Sequence, residues 1–237
     1  MYTALERASI LGDAKLAELA ISKGAKAGGP SREDVDGTPL SPLHLAARHN
    51  HPDVIRVLVK NGAPINAVEQ FLGTPLSEAA FGSAQAVKVL LELGADMTIT
   101  DGWRSPPAHS TAYFGDIACM RLFIAAGLDF SLRNRSSLNE TILYAAVEHS
   151  TEMVKYLLGQ GAGRIINLQD CEGRTALHEV VFWGKGADLV RLLLYHGADM
   201  EVKDDMGCTA LDLAVEYGND SMAEALLEFK ANVLDRG

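Results

Sequence analysis

One turn-and-helix signature recurs six times in register along this 237-residue chain, and that period constrains the fold more than composition can. Its opening residue falls at Ser41, Thr74, Pro106, Thr141, Thr175 and Thr209, at spacings of 33, 32, 35, 34 and 34 residues. The clearest copy is GRTALHEVVFWGKGADLVRLLLYHGAD, which begins at Gly173. Thr175 stands where it can cap a first helix, and Gly197 can supply the left-handed residue that ends a second. Leu177, Val180 and Val181 share one face of the first helix; Leu189, Val190, Leu192, Leu193 and Leu194 give the second a broad apolar face. Two short helices on a tight loop cannot bury both faces alone. The unit therefore needs copies of itself on either side.

Composition agrees. The 48% hydrophobic content is carried by Ala and Leu with only 6% aromatic residues, which suits close-packed helices better than a β-sandwich. No apolar run reaches eighteen residues, and the start MYTALERASILGDAK carries charge too early for a signal peptide, so neither a membrane span nor secretion is expected. Cys119, Cys171 and Cys208 lie far apart, which fits a reducing compartment, cytoplasmic or nuclear. A formal net charge of −10 argues against a nucleic-acid backbone or an anionic membrane as partner.

Each signature is followed by a second apolar segment and a stop: Gly62-Ala63, Gly94-Ala95, Gly127-Leu128, Gly161-Ala162 and Gly197-Ala198, with Lys230-Ala231 in the last copy. With SPLHLAA, GTPLSEAA, GRTALHEV and two GADM stops, the chain from Ser41 onward closely resembles the ankyrin repeat family. The resemblance implies an all-α fold, a solenoid of antiparallel helix pairs with short β-hairpin or loop fingers. ALERASILGDAKLAELAISKGA keeps the two-helix rhythm but lacks the leading turn. It reads as an N-terminal capping repeat, residues 1–35, with Glu6, Arg7, Lys15 and Glu18 facing water. The other repeats then run 36–68, 69–100, 101–133, 134–168, 169–203 and 204–237, within one ankyrin domain spanning 1–237.

Several departures from the repeat stand out. The connection from Gly28-Gly29-Pro30 to Thr38-Pro39-Leu40 is long, and RNRSSLNE lengthens the finger before Thr141. AAFGSAQAV is one residue short between its helices, the loop around Gly184-Lys185-Gly186 is one longer, and Pro106-Pro107-Ala108 replaces Thr-Pro-Leu. At the end, Leu226, Leu227 and Val233 fit either an imperfect cap or a chain that continues.

The resemblance implies that a partner protein meets the two residues after the Ala-Ala pair and the finger tips. The candidate binding residues on helices are Arg48, His49, Phe81, Tyr113, Phe114, His149, Phe182, Trp183 and Tyr217, with Glu148 and Glu216 beside them. On the fingers they are Phe71, Trp103 and Arg135, next to Leu72, Leu138, Cys171, Glu172, Asp205 and Met206. Both tryptophans, four of the seven phenylalanines and two of the six tyrosines fall in this set, whereas Leu, Val and Ala hold the packing positions. An aromatic stripe on a groove suits binding, because rings bury much area at little rotamer cost. The competing reading, that Phe81, Phe114 and Phe182 tuck between helices, stays open.

His44, His109 and His178 share one repeat position, where the resemblance implies bonds to the local turn and the neighbouring repeat. HxxxH and CxxC spacings are absent, so no metal is expected; no phosphate loop or GxSxG elbow occurs, and no cofactor is expected. The preferred function is a non-catalytic, monomeric scaffold for protein–protein interaction. The alternative is a small-molecule-binding or acid–base catalytic protein, isomerase- or cyclase-like, in which His49 and His149, with Glu148 and Asp205 as carboxylate neighbours, flank the same aromatic groove.

Overall fold

The computed structural model describes residues 3–29, 40–69, 72–135 and 139–234. Among these the chain is helical and forms no sheet. The fingers carry two isolated antiparallel bridges, Glu69 with Gly73 and Arg133 with Thr141. The chain divides into two units, one comprising residues up to Thr111 with Asp116–Asp129, the other Ala112–Gly115 with the chain from Phe130 onward.

The first unit contains α1 (Ala4–Leu11), α2 (Ala14–Ser22), α3 (Pro42–Arg48), α4 (Pro52–Lys60), α5 (Pro75–Ala79) and α6 (Ala84–Glu92). It also holds the start of α7 (Pro107–Phe114) and α8 (Ile117–Ala125). α1, α3 and α5 pack side by side as one row, and α2, α4, α6 and α8 as a second. The recurring opening residue works as a cap: Ser41 and Thr74 are extended, and their hydroxyls accept from the backbone N–H of His44 and Ser77. Pro42 and Pro75 follow as the first helical residues, where the missing N–H costs nothing. Removing one such cap costs about 1 kcal/mol. Leu43, Ala46, Ala47, Leu76, Ala79 and Ala80 are buried between the rows. Small alanines let these short helices approach closely.

The second unit repeats the plan with α9 (Ile142–His149), α10 (Thr151–Gly159), α11 (Ala176–Phe182), α12 (Ala187–Tyr195), α13 (Ala210–Glu216) and α14 (Asp220–Leu234). α11 packs between α9 and α13, and α12 against α14. Gly197, at φ +92, ends α12 where a side chain would be strained, and Gly94 ends α6 in the same way at φ +88. The last repeat shows what that glycine does. With Lys230-Ala231 in place of Gly-Ala, α14 runs straight through the stop for 15 residues.

Two of the three histidines at the shared position, His44 and His178, make the bonds that the resemblance implied, and His109 is buried at the same position. His44 Nδ1 lies 2.7 Å from Ser41 Oγ and Nε2 lies 3.1 Å from the Gly73 carbonyl of the next finger. His178 bonds Thr175 at 2.9 Å and the Cys208 carbonyl at 3.3 Å in the same manner. Burial pushes the His44 imidazole down to about 4, so it serves as a neutral bridge between repeats.

Two expectations need correction. Glu6 does not face water: it is buried, and its carboxylate accepts from the Thr3 N–H at 2.6 Å, closing a capping box at the head of α1. Arg7, Lys15 and Glu18 are exposed as expected. The packing positions are also not purely aliphatic, since Phe123, Phe130 and Tyr144 are buried core rings. The lengthened segments 30–39 and 136–138, with Leu138, lie outside the described residues, as does Phe71. At the C-terminus Leu226 is buried and Leu227 is half exposed.

Candidate functional site

In the first unit the helix ends and a finger enclose a cleft of about 280 Å³, lined by Arg48, Leu72, Glu78, Phe81, Ser83 and Trp103. Glu78 sits at the fourth residue after the capping Thr74, one turn before Phe81, and its side chain is buried. Its carboxylate takes the Arg48 guanidinium at 2.5 Å, reaching across from the end of α3. Burial pushes the Glu78 carboxyl above its ordinary value while Arg48 opposes that rise. The pair forms a neutral floor under two rings.

Trp103 stands on a finger that is fixed from within. One oxygen of the buried Asp101 carboxylate accepts from the backbone N–H of Trp103 and Ser105, at 2.9 and 3.0 Å. His49 stacks on His51 at 6.3 Å, and His51 Nε2 lies 2.9 Å from the Ile10 carbonyl, so these two rings tie α3 and α4 to the first helix pair. His51 is therefore a packing residue. Burial lowers His49 from its ordinary value.

The second unit holds a different arrangement. Phe182, at the end of α11, meets Trp183 edge-on at 5.2 Å and Tyr217 edge-on at 5.8 Å. Behind them Arg174 is shared among three carboxylates: Glu172 at 2.6 Å, Glu179 at 3.2 Å and Asp170 at 3.5 Å. Its guanidinium carbon lies 5.4 Å from the Phe182 ring centre. The Trp183 indole N–H donates to the other Glu179 oxygen at 2.9 Å. Burial pushes Glu179 up, against the pull of Arg174 and this indole bond, and Asp170 and Glu140 push in the same direction as burial. In the same unit Tyr113 lies against His149 at 3.8 Å between ring centres and Phe114 at 5.2 Å, and His149 reaches Glu148 at 3.3 Å. Arg135 is exposed on the finger that precedes Thr141.

Phe81, Trp103, Tyr113, Phe114, Phe182, Trp183 and Tyr217 are thus surface rings, each between 39% and 66% exposed. Arg48, His49 and His149 are exposed beside them. Sequence reasoning missed the groups that hold these rings. Glu78 and Glu179 occupy the same repeat position, where other repeats carry Leu45 and Leu213; a carboxylate on an apolar face was the available signal. Asp101, Asp170 and Asp204 recur five residues before the cap, and each accepts two backbone N–H bonds that shape its finger.

Comparison with known proteins decides the family. Residues 2–101, 108–204 and 163–236 match the family description "Ankyrin repeats (3 copies)". The chain is an ankyrin repeat protein. Ankyrin repeats serve as scaffolds for protein–protein interaction, and the repeats of this chain are built on that plan. The fold is similar to the human ASB11 ankyrin repeat domain, with TM-score 0.78, 27% identity, and 96% of this chain and 97% of that one covered. It is similar also to the ankyrin repeat domain of Bcl-3, with TM-score 0.81, 26% identity, and 94% and 97% covered. In sequence it is 30% identical over 197 residues to a Caenorhabditis elegans protein described as a transient receptor potential cation channel subfamily A member 1 homolog. That match covers 82% of this ankyrin chain and only 16% of the nematode protein. Among the described residues no helix is long and apolar enough to cross a membrane, and no group of three or more metal-ligating side chains is poised for an ion.

Proposed function

We propose that this ankyrin chain is a recognition scaffold that holds another protein through its half-exposed rings and finger tips, without catalysis of its own. The carrying observation is that Phe81, Tyr113, Phe114, Phe182, Trp183 and Tyr217 stand 39–58% exposed at the end of the first helix in four repeats, while the rings taken into the core are Phe123, Phe130 and Tyr144. The proposed contacts are Arg48, His49, Phe81 and Trp103 in the first unit. In the second they are Tyr113, Phe114, Arg135, His149, Phe182, Trp183 and Tyr217. Phe71 joins them on its repeat position. The reading includes a monomer of seven helix-pair repeats with the boundaries given above, in the cytoplasm or nucleus, with no nucleic acid or membrane as partner.

A small-molecule or acid–base role at His149, Trp183 and Tyr217 calls for an enclosed pocket. Their half exposure favours a docking surface instead. Trp103→Ala and Trp183→Ala should each weaken partner binding by about 2 kcal/mol, roughly thirtyfold, with the fold kept. Affinity capture from native extract with wild type and the double variant reads this directly. A double variant that retains every captured partner overturns the reading.

A further inference from the structure

The exposed rings of the second unit differ from those of the first in the charge that surrounds them. Among the described residues Arg174 is the one cation within ion-pair reach of Asp170, Glu172 and Glu179, so that cluster carries two formal negative charges more than it neutralises. Glu179 is tied directly to the ring surface through the Trp183 indole N–H. Glu216 adds another carboxylate next to Tyr217 at the end of α13. Phe182 meets Trp183 and Tyr217 edge to face at interplanar angles of 88° and 80°, and all three rings are between 43% and 48% exposed. A ring face is electron-rich and draws cations, and the approach of Arg174 to Phe182 shows a guanidinium already so placed within the fold. Half-exposed rings beside unneutralised carboxylates repel an anionic partner and attract a cationic one.

We propose that this face takes an arginine-bearing basic segment of the partner protein, with one guanidinium set on the Phe182–Trp183 ring pair and against Glu172, which Arg174 ties to the Phe182 ring. Arginine suits the place better than lysine, because its planar group can stack on a ring while pairing two-pronged with a carboxylate. The inference rests on the scaffold reading and specifies the chemistry of its partner at one surface.

The full chain is titrated with a nine-residue peptide of alternating Arg and Leu and with its Glu–Leu counterpart, in low salt, by fluorescence anisotropy of a dye on the peptide. The variants are Trp183→Ala, Glu172→Gln and, as a control for the net charge of −10, Glu18→Gln in the first helix pair. The Arg peptide should bind and the Glu peptide should not. Glu172→Gln and Trp183→Ala should each weaken the Arg peptide by about five- to tenfold, whereas Glu18→Gln should move it by less than about twofold. An equal effect of Glu18→Gln and Glu172→Gln overturns the proposal, because the attraction is then only that of an acidic surface. Capture of the native partner separates this failure from that of the scaffold reading. If Trp183→Ala loses the partner and Glu172→Gln does not, the scaffold reading stands and the basic-segment proposal falls. If neither variant loses it, the basic-segment proposal falls, and the Trp103→Ala/Trp183→Ala double variant decides the scaffold reading.

Discussion

Glu78 and Glu179 stand at the same position of two repeats, equally buried, each under a phenylalanine and near a tryptophan, yet they belong to opposite electrostatic designs. Glu78 has one arginine to itself, delivered by the first helix of the preceding repeat, and the cleft above it is neutral. Glu179 shares Arg174 with Asp170 and Glu172, because that arginine comes from the finger of its own repeat, where the carboxylates are. The tryptophans differ likewise: Trp103 is carried on a finger, whereas Trp183 ends a helix and bonds the buried carboxylate. The repeat fixes where a side chain sits. Which neighbour supplies its counter-charge is decided outside the repeat pattern, and that decides what each face can hold.

The sharpest way to break this comparison is to remove the two arginines. Arg174→Met leaves Asp170 and Glu179 buried beside each other with no cation, and should destabilise the fold by about 3–5 kcal/mol. Arg48→Met leaves one carboxyl that burial already pushes toward its neutral form, and should cost less, about 1–3 kcal/mol. Urea midpoints of the two variants at neutral pH test the order. Equal losses mean that the shared and the exclusive arginine are equivalent, and the contrast dissolves.

The bridging histidines give the next largest effect. His44 is held at about 4 by burial, below its ordinary 6.5, so the folded protein binds fewer protons than the unfolded chain between those values. Its contribution is present above pH 6.5 and is lost as pH falls through 4, worth about 3 kcal/mol over that window. Glu78 runs the other way. Its raised carboxyl contributes fully below about 4.5, the ordinary value, and that contribution fades as pH rises through the folded value. His178 is also lowered by burial, but Asp204 and Asp170 hold it up. Urea midpoints followed from pH 7 to 4 should therefore lose more of their slope in His44→Asn than in His178→Asn. The reverse order contradicts the electrostatic difference between the two regions.

The period made the helices and their stops legible because the signals are local. A capping Ser or Thr, a proline after it and a glycine at the end each act within a few residues. The aromatic surface was legible in part, since the residues that break the repeat are those left exposed. The ion pairs were not. Arg48 and Glu78 are 30 residues apart, and nothing in either stretch tells which carboxylate a given arginine will reach once the helices stack. Glu6 was misplaced for a related reason, because its bond to Thr3 folds a charged side chain back onto the chain. Phe123 and Tyr144 show the converse, rings taken inward at irregular repeats.

The smallest effect separates the two tryptophans as parts of the fold. Trp183→Ala removes the indole donor from Glu179 and leaves a buried carboxylate with Arg174 as its one strong partner, a loss of about 1–2 kcal/mol. Trp103→Ala removes a ring that is 66% exposed, and Asp101 keeps its bonds to the backbone of the finger whatever side chain stands there. That change should stay within about 0.5 kcal/mol. Equilibrium unfolding of the two variants under one set of conditions resolves such a difference. If they lose the same amount, the indole bond to Glu179 contributes nothing measurable and both rings are surface alone. A larger loss at Trp103 instead makes its ring a packed wall of the first cleft, with less freedom to meet a partner than its exposure implies.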